Sequence, residues 1–197
     1  MNKLIYILAT TLLSSFLLTA RTSHAQKPQN TFDASVMYTA LHANAPVGGC
    51  GCFWMHGGSG EIGIPLWRNF QAVMQVNGEH TDHIPNFNVG LSLLTGLGGL
   101  RMRFPNHTIF QPYAQALGGG VHGFDSYFPA RAGKLPTSYD TSLAWSIGGG
   151  VDLRVSRHIW VRAIQADYHY SELRNLQGDR QNQFRLGAGI VFRGAGR

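Results

Sequence analysis

From residue 26 onward, hydrophobic and polar positions alternate with a period of two, the spacing of a strand with two unlike faces. The clearest segment is 142–155. There Leu143, Trp145, Ile147, Val151, Leu153 and Val155 share one face, interrupted only by Gly149, and Ser146, Gly148, Gly150, Asp152 and Arg154 share the other. Segment 183–192 repeats the pattern, with Phe184, Leu186, Ala188, Ile190 and Phe192 against Gln183, Arg185, Gly187 and Gly189. In 159–171, Gln165, Asp167 and His169 alternate with Ile164, Ala166, Tyr168 and Tyr170. Segments 70–80 and 32–42 alternate in the same way, and 59–68, 88–104 and 109–121 complete a set of eight predicted strands. In 88–104 the apolar parity changes around Thr95–Gly99, which predicts a β-bulge there.

The predicted connections alternate in length. Those at 43–58, 81–87, 122–140 and 172–182 are long, whereas 68–69, 105–108 and 156–158 are short. An even number of strands with short turns at one end and long loops at the other fits an eight-stranded antiparallel up-and-down transmembrane β-barrel. Lipid supplies no hydrogen bonds, so the backbone must pair within a closed barrel whose outer face is apolar. Alternation by itself also fits a soluble sandwich or a lipocalin-like barrel with the apolar face inside. The membrane reading is favoured by aromatic residues near strand ends (Tyr168, Tyr170, Trp160, Phe104 and Phe110), which suit an interfacial girdle. It is also favoured by a polar face that mixes charges with many small residues.

The first 25 residues read as a signal peptide, leaving 26–197 as one barrel domain. Lys3 begins a positive stretch, residues 4–18 are apolar apart from Thr10, Thr11, Ser14 and Ser15, and Ser23-His24-Ala25 offers a cleavage site. That apolar run falls short of the roughly 20 residues a membrane-spanning helix needs. Cleavage would remove Lys3 and Arg21 and no acid, lowering the formal charge from +6 to +4. With so modest a charge, scattered basic residues and an export signal, nucleic acid is not an expected partner. The 197 residues include 25 glycines and only 13% charged residues, but 44% are hydrophobic, which excludes a disordered chain. Mean hydropathy of −0.09 excludes a bundle of apolar helices.

Taken together, these segments resemble small eight-stranded outer-membrane β-barrels of the kind formed by the OmpA transmembrane domain and OmpX. The resemblance covers most of 30–193. It is sharpest at Asn44-Ala45-Pro46-Val47-Gly48-Gly49-Cys50-Gly51-Cys52-Phe53, at Val161-Arg162-Ala163-Ile164-Gln165-Ala166-Asp167-Tyr168, and over 182–193 with Gly189-Ile190-Val191-Phe192. It implies a place in the bacterial outer membrane, contact with its lipid, and insertion by the barrel assembly machinery. Barrels of this type usually end on an aromatic that the machinery reads. Here Phe192 is the candidate, followed by Arg193-Gly194-Ala195-Gly196-Arg197, and no peptidoglycan-binding domain is expected after it.

An eight-stranded barrel has an interior just wide enough for side chains. Glu79, Arg101, Arg103, Asp152, Asp167, His169 and Arg185 are the expected lumen charge network, which must pair internally because an unpartnered buried charge is costly. Gly148, Gly150, Gly187 and Gly189 would leave room for larger neighbours. Cys50 and Cys52, separated by Gly51, suggest a local disulfide in an exported chain. Such a bridge would be strained, because bridged Cα atoms usually lie about 5.5–6 Å apart. A redox role and a metal site with His56 are the alternatives, the latter one ligand short. His80, Asp82 and His83 form a looser loop cluster. No metal or cofactor is expected.

His169 and Ser171 lie two apart on a predicted strand and so share a face, with Glu172 beside them. A serine, a histidine and an acid together can activate a hydroxyl nucleophile. His-Tyr-Ser is similar to part of the site in outer-membrane lipid A deacylases. In that family Asn and Ala follow the serine, where this chain has Glu172 and Leu173, and the site faces lipid, whereas parity here puts His169 in the lumen. The expected role is therefore non-enzymatic: structural, adhesive or recognition work through loops 43–58 and 122–140. A narrow porin-like channel and a lipid-facing acyl hydrolase using His169 and Ser171 are the alternatives.

Overall fold

A computed structural model describes residues 32–44, 52–84, 89–104, 108–129, 135–175 and 179–194. Eight strands follow one another: β1 (Asp33–Ala43), β2 (Phe53–Trp67), β3 (Phe70–Thr81), β4 (Leu91–Arg103), β5 (Phe110–Phe124), β6 (Asp140–Arg154), β7 (Ile159–Ser171) and β8 (Gln181–Arg193). Each pairs antiparallel with the next, and β1 pairs with β8, so the sheet closes into a barrel without an edge. Closure runs from Asp33 opposite Arg193 to His42 opposite Phe184. The strands are 11 to 15 residues long, enough to cross a bilayer, for which about 9–11 tilted residues suffice. Among the described residues no helix is long and apolar enough to cross a membrane.

Side chains of the two parities go to opposite sides of the wall. Asp33, Ser35, Glu61, Gln75, Asn77, Arg101, Gln115 and Asp167 point inward and are buried. Val36, Met74 and Leu143 point outward with 67%, 69% and 70% of their surfaces exposed, and Ile62, Leu100, Ile147 and Ile190 lie with them. The barrel is thus polar inside and apolar outside. An apolar belt of this extent is untenable in water and is the face a bilayer covers.

Three features differ from the sequence reading. No register shift occurs in β4, where inward positions run unbroken from Leu93 through Thr95, Leu97 and Arg101 to Arg103. The apparent parity change comes from the lumen lining. The inward residues are apolar at Leu93 and Leu97 and charged at Arg101 and Arg103, whereas the outward Leu94 and Leu100 are apolar on both sides of the change. The irregularities lie instead at Pro65/Trp67, Val151/Asp152 and Arg162/Gln165. The last one reverses parity within β7, so that Trp160 and Arg162 face inward before it and Gln165, Asp167 and His169 after it. Trp160 is consequently not part of an outer aromatic girdle: it is 7% exposed inside the barrel, with the Arg193 guanidinium 3.7 Å from its ring centroid.

The third difference concerns the loops. Phe53, Met55 and Gly57 continue β2 against Ala43, Leu41 and Thr39, and β5 continues to Phe124. The long connections are therefore 44–52, 82–90, 125–139 and 172–180. The three short turns and the two ends of the barrel chain lie at the opposite rim. Arg68, in the turn between β2 and β3, has φ of 49°, the left-handed region that such a tight reversal requires.

Candidate functional site

The interior is stacked in layers whose chemistry changes along the axis. Nearest the short-turn rim, Asp33 pairs with Arg103, and Arg193 reaches Asp33 at 3.5 Å and Asp152 at 2.6 Å. Arg193 also donates to Gln111, and Gln71 donates to Asp33 at 3.4 Å.

The next layer is centred on Glu61. Arg101 donates to both its oxygens, at 2.7 and 2.5 Å, and Arg162 donates to Oε1 at 3.0 Å. The same Arg162 donates to Asp152 at 2.9 Å and to Gln165 at 2.8 Å. Tyr113 lies between the two guanidiniums, at 4.3 Å from Arg101 and 4.7 Å from Arg162, and donates its hydroxyl to Gln165 at 2.7 Å. The backbone makes space for this ring at Gly150, where a Cβ would strike the Tyr113 phenol, and at Gly148, where it would strike Asp167. A guanidinium offers five donors in one plane, so a single arginine can bridge acids and amides from several strands. Arg101 and Arg162 are among the most completely buried side chains, a position that is favourable only because carboxylates surround them.

Above this, Arg185 lies 3.5 Å from Glu79 and 3.7 Å from Asp167, and Gln165 and Gln115 donate to Asp167 at 2.7 and 3.2 Å. Thr39 also approaches Glu79, at 3.5 Å. His169 is buried among these groups, opposite Ser146 on β6 and Gln183 on β8.

Toward the long-loop rim the lumen becomes apolar. Leu41, Ala43, Phe53 and Met55 from β1 and β2 meet Leu93, Leu97, Leu117 and Val121 from β4 and β5. Three connections each insert one hydrophobic side chain: Ile84, Phe128 and Leu173. Each is held by polar contacts. The Ile84 amide donates to Val89 O at 3.0 Å, and Phe128 exchanges two backbone hydrogen bonds with Thr137. Leu173 is flanked by Arg174, which donates to Asp140 from its amide at 3.0 Å and its guanidinium at 2.7 Å. A cavity of about 210 Å³ remains among these residues.

Every lumen charge expected from the sequence is buried, Arg103 toward one end and His169 below the mouth, and His169 lies beside the network with its Nδ1 unbonded. Four further charged members were not expected: Asp33, Glu61, Arg162 and Arg193. Glu61 was legible, since Ser59 and Glu61 alternate with Ile62 and Ile64. Arg162 was not, because the irregularity that follows it reverses the face. His169 and Ser171 both face the lumen, no hydrogen bond joins them, and Glu172 is exposed on the other face. A lipid-facing hydrolase site is therefore not formed by these three residues. Phe192 is outward and exposed, one residue before the end of β8. Cys52 is exposed beside the start of β2, and Cys50 lies outside the described residues, as does the predicted signal peptide. His80 bonds Asp82 at 3.0 Å and Ser92 at 2.8 Å, and among the described residues no cluster could hold a metal ion.

The inverted barrel agrees with what the sequence itself matches. The outer membrane protein beta-barrel domain family matches residues 10–192. The chain belongs to that family. Its apolar belt lies in the lipid of the bacterial outer membrane. Among solved structures it is similar to Neisserial surface protein A, with a TM-score of 0.61 at 14% identity over 82% of this chain and 96% of that one. It is similar to OprG of Pseudomonas aeruginosa, with a TM-score of 0.55 at 8% identity over 86% and 98%. It is also similar to the attachment invasion locus protein Ail of Yersinia pestis, solved in complex with the heparin analogue sucrose octasulfate, with a TM-score of 0.50 at 13% identity over 82% and 98%. At these identities the likeness is one of fold. No curated protein is similar in sequence to this chain.

Proposed function

We propose that this family member is a non-enzymatic surface-recognition protein, of adhesion type, whose contact surface is built by the long connections 44–52 and 125–139. The observation that carries the reading is the second of these. It holds Tyr127, Leu135 and Tyr139 exposed at the long-connection rim, with Leu135 at 85%. Large apolar groups displayed together on a rigid frame are the usual makings of a contact site. Connections 44–52 and 125–139 together contain one acid (Asp125) and two bases (Arg131 and Lys134), so the surface carries a formal charge of only +1. A partner held by such a surface is recognised through aromatic and hydrogen-bonding groups rather than as a polyanion, and its binding is little affected by salt.

In this reading residues 1–25 are the export signal, Phe192 is the assembly signal, and Cys50 and Cys52 close a small ring that stiffens the first connection. The test is attachment of bacteria displaying the protein to cultured epithelial cells. Replacing 125–139 by a short turn is expected to abolish the attachment while the purified barrel still migrates differently with and without boiling. Undiminished attachment would defeat the proposal. A channel is disfavoured by the Glu61, Arg101, Arg162 and Tyr113 layer, which spans the interior. Steady single-channel currents from the intact barrel in a planar bilayer would reverse that judgement.

A further inference from the structure

We propose that the mouth of the lumen is a binding site for a small neutral amphiphile: an apolar body carrying one hydroxyl group. The inference stands independently of the recognition role of the outer connections. The cavity of about 210 Å³ is walled by Phe53, Ile84, Leu91, Leu93, Phe128 and Leu173. An enclosed apolar space of roughly 150 Å³ is enough to take up benzene. This cavity is larger and open on its outer side, so a single ring or a short aliphatic chain can enter it from the mouth.

Polarity returns at the inner end of the cavity. Gln183, 5% exposed, lines it, and its Oε1 has no hydrogen-bond partner. Gln183 stands opposite His169 on β7, which stands opposite Ser146 on β6. The Nδ1 of His169 and the Oγ of Ser146 are likewise buried without partners. Three adjacent strands thus place unpartnered polar atoms in one row below an apolar cavity. Leaving each such atom unbonded costs about 1–3 kcal/mol, so a hydroxyl delivered there has a partner waiting.

The head group is neutral because the neighbouring charges are already matched. Arg185 faces Glu79 and Asp167, and Arg174 is held by Asp140. A carboxylate or ammonium would be desolvated with no counter-ion of its own. A hydroxyl can donate to Gln183 Oε1 and leave its lone pairs to the rest of the row.

The probe is 1-hexanol, with benzene as the comparator lacking a hydroxyl, titrated into the full chain folded in lipid nanodiscs with methyl-labelled Ile and Leu. Saturable shifts, with cross-relaxation from hexanol, are expected at Ile84, Leu93 and Leu173. Leu93→Trp, or Leu173→Trp should the first fail to fold, is expected to remove them while heat-modifiable migration persists. Gln183→Leu is expected to weaken hexanol roughly five- to tenfold, the worth of one hydrogen bond, and to leave benzene within about twofold. Non-saturating shifts of equal size at the lipid-facing Ile62, Ile147 and Ile190 would mean partition into the bilayer and overturn the proposal. So would saturable binding that the tryptophan variants leave intact, or equal weakening of hexanol and benzene in Gln183→Leu.

Discussion

The two ends of the lumen are built on opposite principles. Toward the short turns, guanidiniums, carboxylates and amides from all eight strands interlock, with Glu61 receiving Arg101 and Arg162 together and Asp152 receiving Arg162 and Arg193. Toward the long connections, Leu41, Met55, Leu93, Phe128 and Leu173 make an apolar lining that leaves a cavity. Directional bonds demand specific partners at specific distances, so the polar half admits little adjustment. Dispersion contacts are non-directional and tolerate a gap, so the apolar half can accommodate a guest. The rigid half secures the barrel, and the tolerant half lies where molecules arrive from outside.

The sharpest way to break this contrast is to unbalance the polar half. Glu61→Gln leaves two buried guanidiniums short of a carboxylate and is expected to cost about 3–5 kcal/mol, read from urea unfolding in phospholipid vesicles. A loss below about 1 kcal/mol would mean that water already solvates the layer. Replacing the pair together, Glu61→Met with Arg101→Met, is expected to restore stability to within about 2 kcal/mol of the parent, since matched apolar groups need no counter-ion. Arg162 then keeps Asp152 as its partner.

Overfilling should be felt next. Gly150→Ala drives a methyl against the Tyr113 ring and the Ile164 carbonyl, with an expected loss of about 1–3 kcal/mol in the same assay. In the apolar mouth, Phe128→Ala enlarges a space that exists already. It is expected to cost less than about 2 kcal/mol, below the roughly 3–5 kcal/mol of a closed core. A loss in the full core range would show the mouth to be as tightly packed as the polar half. The smallest effect is expected at the rim. Arg174→Ala removes a partly exposed guanidinium from the buried Asp140, which keeps the backbone amide of residue 174 as a donor, and should cost about 1 kcal/mol.

Much of this architecture was legible in the chain. Each strand has its own alternation, a local property that follows from successive side chains leaving a strand on opposite sides. Eight such segments and an alternation of short and long connections were enough to indicate an even-stranded barrel, and parity alone placed Arg101, Asp152, Asp167 and Arg185 on the polar face. Legibility failed at backbone irregularities. One residue out of register in β7 sends Trp160 and Arg162 inward, and no side-chain pattern marks where a strand takes that extra residue. The first six residues of β2, 53–58, are hidden within what reads as a loop. Phe53 and Met55 inside and Trp54 outside are all apolar and Gly57 and Gly58 have no side chain, so the two faces show no hydropathy contrast.

What the sequence determined by itself, then, is the set of strands and the two unlike faces, because both depend on neighbours in the chain. The tertiary structure alone decided which face is concave and which residues meet across it. Glu61 lies 40 residues from Arg101 and 101 from Arg162, and they touch because closure of β1 on β8 curls the polar face inward. Ile84, Phe128 and Leu173, from three separate connections, share one cavity for the same reason. A partner across a closed barrel is chosen by the register and curvature of the whole sheet, and neither quantity is carried by any single segment.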